Sequence, residues 1–144
     1  MHILRHMARL VENLDFGAVP RPLEDFDRAE IDRVALKAFF NLAEEWELSR
    51  DQAMTLLGSP SERTFYRWRE GRVSRLPKDT LERISVMMGI YKAAHILLPV
   101  IERANAYVKR PNTSFGGESA LDIMLKGRVD NLYQVRRHLD AWRG

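Results

Sequence analysis

The sequence predicts an all-α protein made of several short helices joined by tight turns. Apolar residues recur at spacings of three and four over most of the 144 residues, as on the buried side of amphipathic helices. Capping patterns support this: Asp27, Ser49, Ser59 and Ser119 are each followed three residues later by Glu, Gln or Asp. Apart from Gly89, the glycine and proline residues after the N-terminal arm fall between or at the ends of the helical segments, where they end one helix and turn the chain into the next.

Composition limits the class of protein. Hydrophobic residues make up 45% of the chain, enough to bury a normal core in one domain or two very small ones. No run approaches the roughly 18 apolar residues that a membrane span needs, and the N-terminus lacks the apolar region of a signal peptide. The chain has no cysteine, which excludes disulfides and thiol catalysis. A reducing cytoplasm is therefore the simplest setting, and no membrane contact is expected.

Residues 1–26 are predicted to form a weakly patterned N-terminal arm. Gly17, Pro20 and Pro22 interrupt it before the main body begins. Three possibilities remain open: the arm packs on the body, pairs with another chain, or stays loose. A short helix within it is indicated by apolar residues at helical spacing, namely Ile3, Leu4, Met7, Leu10, Val11 and Leu14.

A first scaffold helix is predicted to begin after Asp27, with Glu30 completing a capping pattern. It is expected to pack on the two short helices that follow it. Its buried stripe keeps the helical period closely, through Ile31, Val34, Ala35, Ala38, Phe39, Leu42 and Trp46.

Residues 49–71 read as two short helices joined by a tight turn. Ser49 caps the first helix with Gln52 in reciprocal position, and Gly58 can take the left-handed conformation that ends it. Ser59 is predicted to cap the second helix, with Pro60 at its first position. The buried residues of the pair are Ala53, Met54 and Leu57 in the first helix and Phe65 and Trp68 in the second.

The exposed face of the second helix is short, polar and basic. Between residues 61 and 75, five arginines accompany two glutamates, an excess that matches the net charge of +3 of the whole chain. Such a face suits phosphates and base edges, so the pattern favours a helix-turn-helix that binds DNA. The alternative is a helical hairpin with an ordinary solvated arginine face. The predicted DNA-binding residues are Ser61, Arg63, Thr64, Arg67, Arg69 and Arg72.

A long apolar helix is predicted from about Lys78 to Leu98. Pro99 should kink or restart it, with helix continuing toward Val108. Met87 and Met88 fit core filling better than a ligand site. The inner side is formed by Leu81, Ile84, Met87, Met88, Tyr91, Ala94 and Leu98.

The chain from Arg110 to Asp122 is predicted to be a distinctive loop hinged at Gly116 and Gly117. Ser119 then caps a short helix over 120–126. A final helix follows from Asp130. Its apolar stripe needs a partner surface, which is this chain's own core or another chain, and it comprises Leu132, Val135, Leu139 and Trp142.

No catalytic or metal site emerges from the residue pattern. Of the histidines, His95 and His138 lack the acidic neighbours and spacing of a zinc site, and only His2 and His6 have i,i+4 spacing, in a weakly patterned terminal segment. The Gly-Gly pair has no flanking Lys-Ser/Thr and no preceding strand, so it is not a phosphate loop. No nucleophile can be placed beside a base and an orienting group. The sequence thus predicts neither an enzyme nor a cofactor.

The order of these elements resembles the antitoxins of the Xre/MbcA/ParS family. The first half is similar to their Xre-type helix-turn-helix through SERTFYRWREG, residues 61–71, and LPKDTLERI, residues 76–84. In the second half Tyr107 stands where the family usually has Trp, and Ala120 where a Pro usually starts the short helix. The second half otherwise follows the pattern of their toxin-binding domain, at Pro111, Asn112, Gly116, Gly117, Leu121, Asp122, Gly127, Val135, Leu139 and Gly144.

The resemblance implies an all-α fold with an Xre-like helix-turn-helix bundle over 27–98, followed by a small helical toxin-binding domain over 99–144. It implies an antitoxin of a type II toxin–antitoxin pair that blocks the active site of a RES-domain toxin, an enzyme that consumes NAD⁺. It further implies operator binding, repression of its own operon, a homodimer and a larger complex with the toxin.

The same resemblance places the toxin contacts on the glycine-hinged loop and the last helix, with residues 142–144 reaching the NAD⁺ pocket. Arg136, Arg137 and Arg143 suit acidic groups there, or they merely complement the helix dipole. Two rival functions stay open: a free-standing transcription regulator and an interaction module that does not bind DNA. The predicted toxin-binding residues are Asn112, Gly116, Gly117, Leu121, Asp122, Arg136, Leu139, Trp142, Arg143 and Gly144.

Overall fold

The computed structural model describes residues 27–144, and the predicted arm over 1–26 lies outside the described residues. Within that range the chain forms helices and one isolated antiparallel bridge, between Pro111 and Ser119, which confirms the predicted all-α class. The helices are, in order, α1 (Arg28–Glu45), α2 (Arg50–Leu56), α3 (Glu62–Arg69), α4 (Lys78–Leu97), α5 (Ile101–Tyr107), a 3₁₀ turn (Thr113–Phe115), α6 (Ala120–Met124) and α7 (Val129–Arg143).

Helix α1 is defined by caps at both ends. As predicted, the Asp27 carboxylate accepts the Glu30 backbone N–H, at 2.8 Å. At the other end Glu47 has a φ of 52°, and the Leu48 N–H bonds the Ala43 carbonyl at 2.9 Å. This Schellman turn stops the helix without a glycine. Most of the predicted apolar stripe lies in the core, where α1 packs against α4.

The turn between α2 and α3 corrects one prediction. Helix α3 is capped by Ser61 and not by Ser59. Gly58 and Ser59 both have positive φ, 94° and 60°, and the Ser59 N–H bonds the Met54 carbonyl at 2.9 Å to end α2. A capping residue needs extended backbone, which Ser61 has with φ −61° and ψ 156°. Ser59 is therefore part of the stop of α2, and α3 begins two residues later than its pattern suggested.

Helix α4 is the centre of the fold. The sequence predicts one buried side, but Val86, Ile90 and Ala93 are buried as well, because α1, α5 and α7 all pack on this helix. Met87 and Met88 are fully buried and fill the core, as predicted. A helix that is buried nearly all round connects the first and second halves of the chain through one continuous core.

Two tyrosine hydroxyls of this region lie near carboxylates of neighbouring helices. Tyr91 of α4 is near Glu45 of α1, and Tyr133 of α7 is near Glu82 of α4. Burial raises the pKa of both phenols above the ordinary value, and the adjacent carboxylates raise it further. Both hydroxyls therefore stay protonated at neutral pH and can donate to their carboxylates.

A buried carboxylate fixes the segment that follows α3. Asp32 of α1 is fully buried and accepts the Leu76 backbone N–H at 3.0 Å and the Arg28 guanidinium at 2.9 Å. Arg28 also donates to the Leu76 carbonyl at 3.2 Å. These bonds satisfy a charge that would otherwise be costly to bury, and they hold the loop before α4 against α1. The part of that loop that carries arginine residues is thereby kept beside α3.

The second half follows the predicted order with small shifts. Pro99 interrupts the long helix as expected, since α4 ends at Leu97 and α5 starts at Ile101. Helix α6 ends at Met124, two residues before the predicted end, and α7 starts at Val129. None of the helices in residues 27–144 has the length and apolar character needed to cross a bilayer. The apolar stripe of α7 packs on α4 through the fully buried Leu132, Val135 and Leu139.

Candidate nucleic-acid and protein-binding surfaces

Helix α3 is held by its two aromatic residues. Phe65 and Trp68 are buried, as their spacing predicted, and Phe65 meets Phe40 of α1 edge to face at 5.5 Å. The opposite side of α3 exposes Arg63 and Arg67, which lie four residues apart and share a face. The core thus presents a fixed basic helix to solvent.

Ser61 and Thr64 shape the start of α3. The Ser61 hydroxyl oxygen accepts the Thr64 backbone N–H at 3.2 Å, and the hydroxyl donates to Thr64 Oγ1 at 3.0 Å. Ser61 was predicted as a DNA contact. Its bonds in the structure make it the residue that positions Thr64 and the following arginines.

We expect Ser61→Ala to reduce the free energy of unfolding by about 1 kcal/mol, because the first turn of α3 loses its cap. Urea unfolding followed by circular dichroism measures the change. Ser74→Ala, in an exposed loop position, is the matched control and should leave the midpoint unchanged. Equal midpoints for both variants would contradict the assignment of Ser61 as the cap.

A basic groove of about 420 Å³ runs between α3 and the start of α4. We define it by Thr64, Arg67, Arg72 and Arg75, which line it together with neighbouring residues of α3 and the following loop. Arg72 is partly neutralised by Glu70 at 2.8 Å. Arg67 and Arg75 have no ion pair within the described part of the chain, so their charges are available to a phosphate. Arg75 was not among the predicted contacts, although it lies in the basic window.

The six predicted DNA-binding residues do not form a single surface. Thr64, Arg67 and Arg72 converge on the basic groove, whereas Arg69 lines a separate depression of about 600 Å³ together with Arg50. Arg63 is exposed and lines neither cavity. The basic residues therefore flank α3 on two sides, as expected for contacts along a double-stranded backbone.

Arg50 and Tyr66 also lie at the exposed surface around α3, and the sequence did not identify them as candidates. Arg50 Nη1 lies 2.7 Å from Glu62 and donates to the Tyr66 hydroxyl at 3.3 Å. The hydrogen bond to Tyr66 raises the pKa of Arg50 beyond its ordinary range, so this guanidinium stays charged. The sequence contains no signal for this contact beyond the basic character of Arg50, because the contact depends on where α3 lies relative to α2.

The second surface is built around Asn112. Its side-chain amide donates to the Tyr107 hydroxyl at 3.2 Å, and its Oδ1 accepts the Ser114 N–H at 2.9 Å. Its carbonyl accepts the Gly117 N–H, also at 2.9 Å. Burial raises the pKa of Tyr107, while Asn112 and a nearby arginine oppose that shift. Asn112 therefore holds the loop in place.

The two hinge glycines are required by backbone conformation. Gly116 and Gly117 have φ of 65° and 91°, and a Cβ at either position would meet nothing within 4 Å. Beyond the hinge, Ser119 and Asp122 form a reciprocal capping box at 3.0 Å in both directions, as their spacing predicted. The hinge and the cap together fix where α6 begins.

Two aromatic pairs on successive turns of α7 form what we call the aromatic platform. Phe115 meets His138 edge to face at 4.8 Å, and Tyr107 meets Trp142 at 5.8 Å. His138 and Trp142 lie four residues apart and thus on one side of α7. Trp142 remains 50% exposed, which leaves a large aromatic face open to a partner.

The other predicted toxin-contact residues differ in how buried they are and in whether their charges are paired. Leu121 and Leu139 are buried in the chain's own core, so they support the surface from below. Arg136 bonds Asp140 at 3.1 Å and is not a free charge. Arg137 and Arg143 are exposed and unpaired within residues 27–144.

The described residues contain no convergent set of three or more His, Asp or Glu side chains that could hold a metal ion. His95 and Asn105 each have one buried polar atom without a hydrogen-bond partner, His95 Nε2 and Asn105 Oδ1. His95 Nδ1 lies 2.9 Å from the Tyr91 carbonyl, and its ring stacks on Tyr91 at 4.0 Å. These contacts are those of a packed residue at the end of α4.

The described chain thus combines a helix-turn-helix that has a basic second helix with a small helical region that has an exposed aromatic face. The family model described as the antitoxin Xre-like helix-turn-helix domain matches residues 25–89. The model described as the antitoxin Xre/MbcA/ParS C-terminal toxin-binding domain matches residues 93–144. The chain belongs to the Xre/MbcA/ParS antitoxin family. It is also 50% identical over 109 residues to the uncharacterized protein y4oB of Sinorhizobium fredii (strain NBRC 101917 / NGR234), covering 76% of this chain and 84% of that protein.

Proposed function

We propose that this protein neutralises a RES-domain, NAD⁺-consuming toxin by covering its active site, and that it binds operator DNA to repress its own operon. The main support for this proposal is that one core bears two separate surfaces, the basic groove beside α3 and the aromatic platform on α7. The choice of a RES-type toxin follows from the family resemblance. In this proposal the domains divide at about residue 98, and the protein acts in the cytoplasm.

The aromatic platform supports the toxin contact. Trp142 is a half-exposed aromatic residue backed by Tyr107, an arrangement that gives contact area with little loss of side-chain freedom. Arg137 and Arg143 place unpaired positive charge beside it. A pocket that binds the phosphates of NAD⁺, or one lined with acidic groups, would be complementary to an arginine side chain entering it. We therefore assign residues 142–144 to the toxin's cleft.

The basic groove supports the operator contact. Arg67 and Arg75 face the groove without ion pairs in the described chain, and Thr64 lies at its edge. An α-helix fits the major groove of DNA, where Arg can bond a guanine edge bidentately. We assign Arg63, Thr64 and Arg67 to base edges and Arg69, Arg72 and Arg75 to phosphates. A dimer would read two half-sites of the operator.

Co-expression with the cognate toxin tests the proposal. Cells that produce the toxin should grow when the intact protein is present and should arrest when residues 140–144 are deleted. Growth protection by the deleted form would contradict the assignment of residues 142–144 to the toxin's cleft, and arrest even with the intact protein would favour the free-standing transcription regulator. Operator binding should be specific and should weaken as salt rises, because phosphate contacts release counterions. An absence of specific binding at low salt would favour the interaction module.

A further inference from the structure

The corner between α4 and α5 exposes an apolar patch. Five large hydrophobic side chains are well exposed in the described chain, and three of them, Ile96, Val100 and Ile101, lie within six residues at this corner. Their exposed fractions are 48%, 49% and 57%. Single exposed apolar residues are ordinary, but a group of three beside an exposed proline is typical of a contact surface. We call these three residues the apolar corner.

Opposite charges follow the apolar corner directly. Glu102 and Arg103 are both exposed on the first turn of α5, and neither has an ion pair within residues 27–144. A two-fold contact brings the same patch of two subunits together, so each residue must face a complementary residue of the other copy. An apolar centre with one free anion and one free cation at its edge meets that requirement.

We propose that the apolar corner is the interface between two copies of this chain. In the dimer Glu102 of each copy pairs with Arg103 of the other, and the three apolar side chains are buried at the centre. The inference names the surface for the homodimer included in the proposed function, and it rests on that proposal only for the dimer's use on DNA. Helix α4 is about 30 Å long, and the basic groove lies at its other end. Both surfaces can therefore be occupied together.

Light scattering on the purified full chain, without toxin or DNA, tests the interface. The intact protein should be a dimer, and Ile101→Asp should give a monomer whose helical circular dichroism and melting temperature match those of the dimer-forming protein at low concentration. Charge reversal tests the proposed pairing more directly. In a two-fold dimer, Glu102→Arg alone or Arg103→Glu alone places like charges opposite each other at both symmetry-related contacts, and either should weaken dimerisation about tenfold or more. The double exchange Glu102→Arg with Arg103→Glu should restore the dimer.

Other outcomes overturn the inference. An intact chain that is monomeric at all concentrations would show that the apolar corner does not join two copies. A dimer unaffected by Ile101→Asp and by both charge reversals would place the interface elsewhere. Loss of toxin neutralisation by Ile101→Asp with the dimer intact would assign the corner to the toxin. Failure of the proposed function looks different, because the dimer then forms and responds to these variants while toxin and operator remain unbound.

Discussion

Trp142→Ala is expected to weaken binding of the cognate toxin by about 2–4 kcal/mol, the range of an aromatic residue at the centre of an interface. The indole is half exposed and meets Tyr107 in a tilted pair with ring centroids 5.8 Å apart, so much of its surface is open to a pocket. Truncation removes that contact area and also the support that holds Tyr107. Isothermal titration of the purified toxin with each variant measures the loss.

Tyr66→Ala is the matched control for this substitution. Tyr66 is also a large aromatic residue with substantial exposure, 39%, but it lies on α3, where its hydroxyl accepts a hydrogen bond from Arg50. Its removal should leave toxin affinity within error of the unchanged protein. Trp142→Ala is expected to cost little thermal stability because half of the side chain is already in water. If both variants bind the toxin equally well, the aromatic platform is not its contact surface.

Arg67→Ala is expected to weaken operator binding by about 1–3 kcal/mol if its guanidinium reads a base edge. Arg67 is exposed on α3, lines the basic groove and has no ion pair among the described residues, so it can reach DNA without breaking an internal bond. Fluorescence anisotropy with an operator duplex and a scrambled duplex, at fixed salt, separates specific from non-specific binding.

Arg110→Ala is the control, since it removes the same charge from the loop after α5 rather than from α3. It should lower affinity for both duplexes slightly and equally. For Arg67→Ala the loss should be confined to the operator duplex. An equal loss on both duplexes would make Arg67 a phosphate contact, and unchanged affinity would remove it from the interface.

Local chemistry predicted much of the fold. Asp27, Ser49 and Ser119 cap the helices that their capping patterns indicated, because each cap depends only on residues within one turn. Pro99 ends α4 for a similarly local reason. The cap of α3 was misplaced because Ser59 and Ser61 both precede a plausible first turn. The choice depends on the left-handed backbone of Ser59, which the stop of α2 imposes.

Features set by distant contacts could not be read from the sequence. Asp32 is buried and accepts a hydrogen bond from the backbone N–H of Leu76, 44 residues away, and no local sequence pattern predicts that pair. The burial of α4 on nearly every side comes from α7, which packs on it from the other end of the chain. The same packing places Leu139 in the core, where the sequence left open a partner chain.

The candidate surfaces were likewise predictable only where residues close in sequence determine them. The basic character of α3 was predictable from its charges, and the toxin assignment came from the family resemblance. The sequence left open whether Trp142 packs on the chain's own core or on another chain, and the structure leaves it half exposed. Arg136 was predicted as a toxin contact, yet it pairs with Asp140 one turn away, a spacing visible in the sequence. Arg75 and Tyr66 gain their positions from how the loop and α2 pack against α3, which only the structure provides.

The structure of this protein in complex with its cognate toxin tests the division of labour most directly. We predict that Trp142 and Arg143 lie inside the toxin's NAD⁺-binding cleft, while the basic groove beside α3 remains open to solvent. A complex in which residues 140–144 point away from the toxin, or in which α3 lies against it, would show that the two surfaces do not have these separate roles.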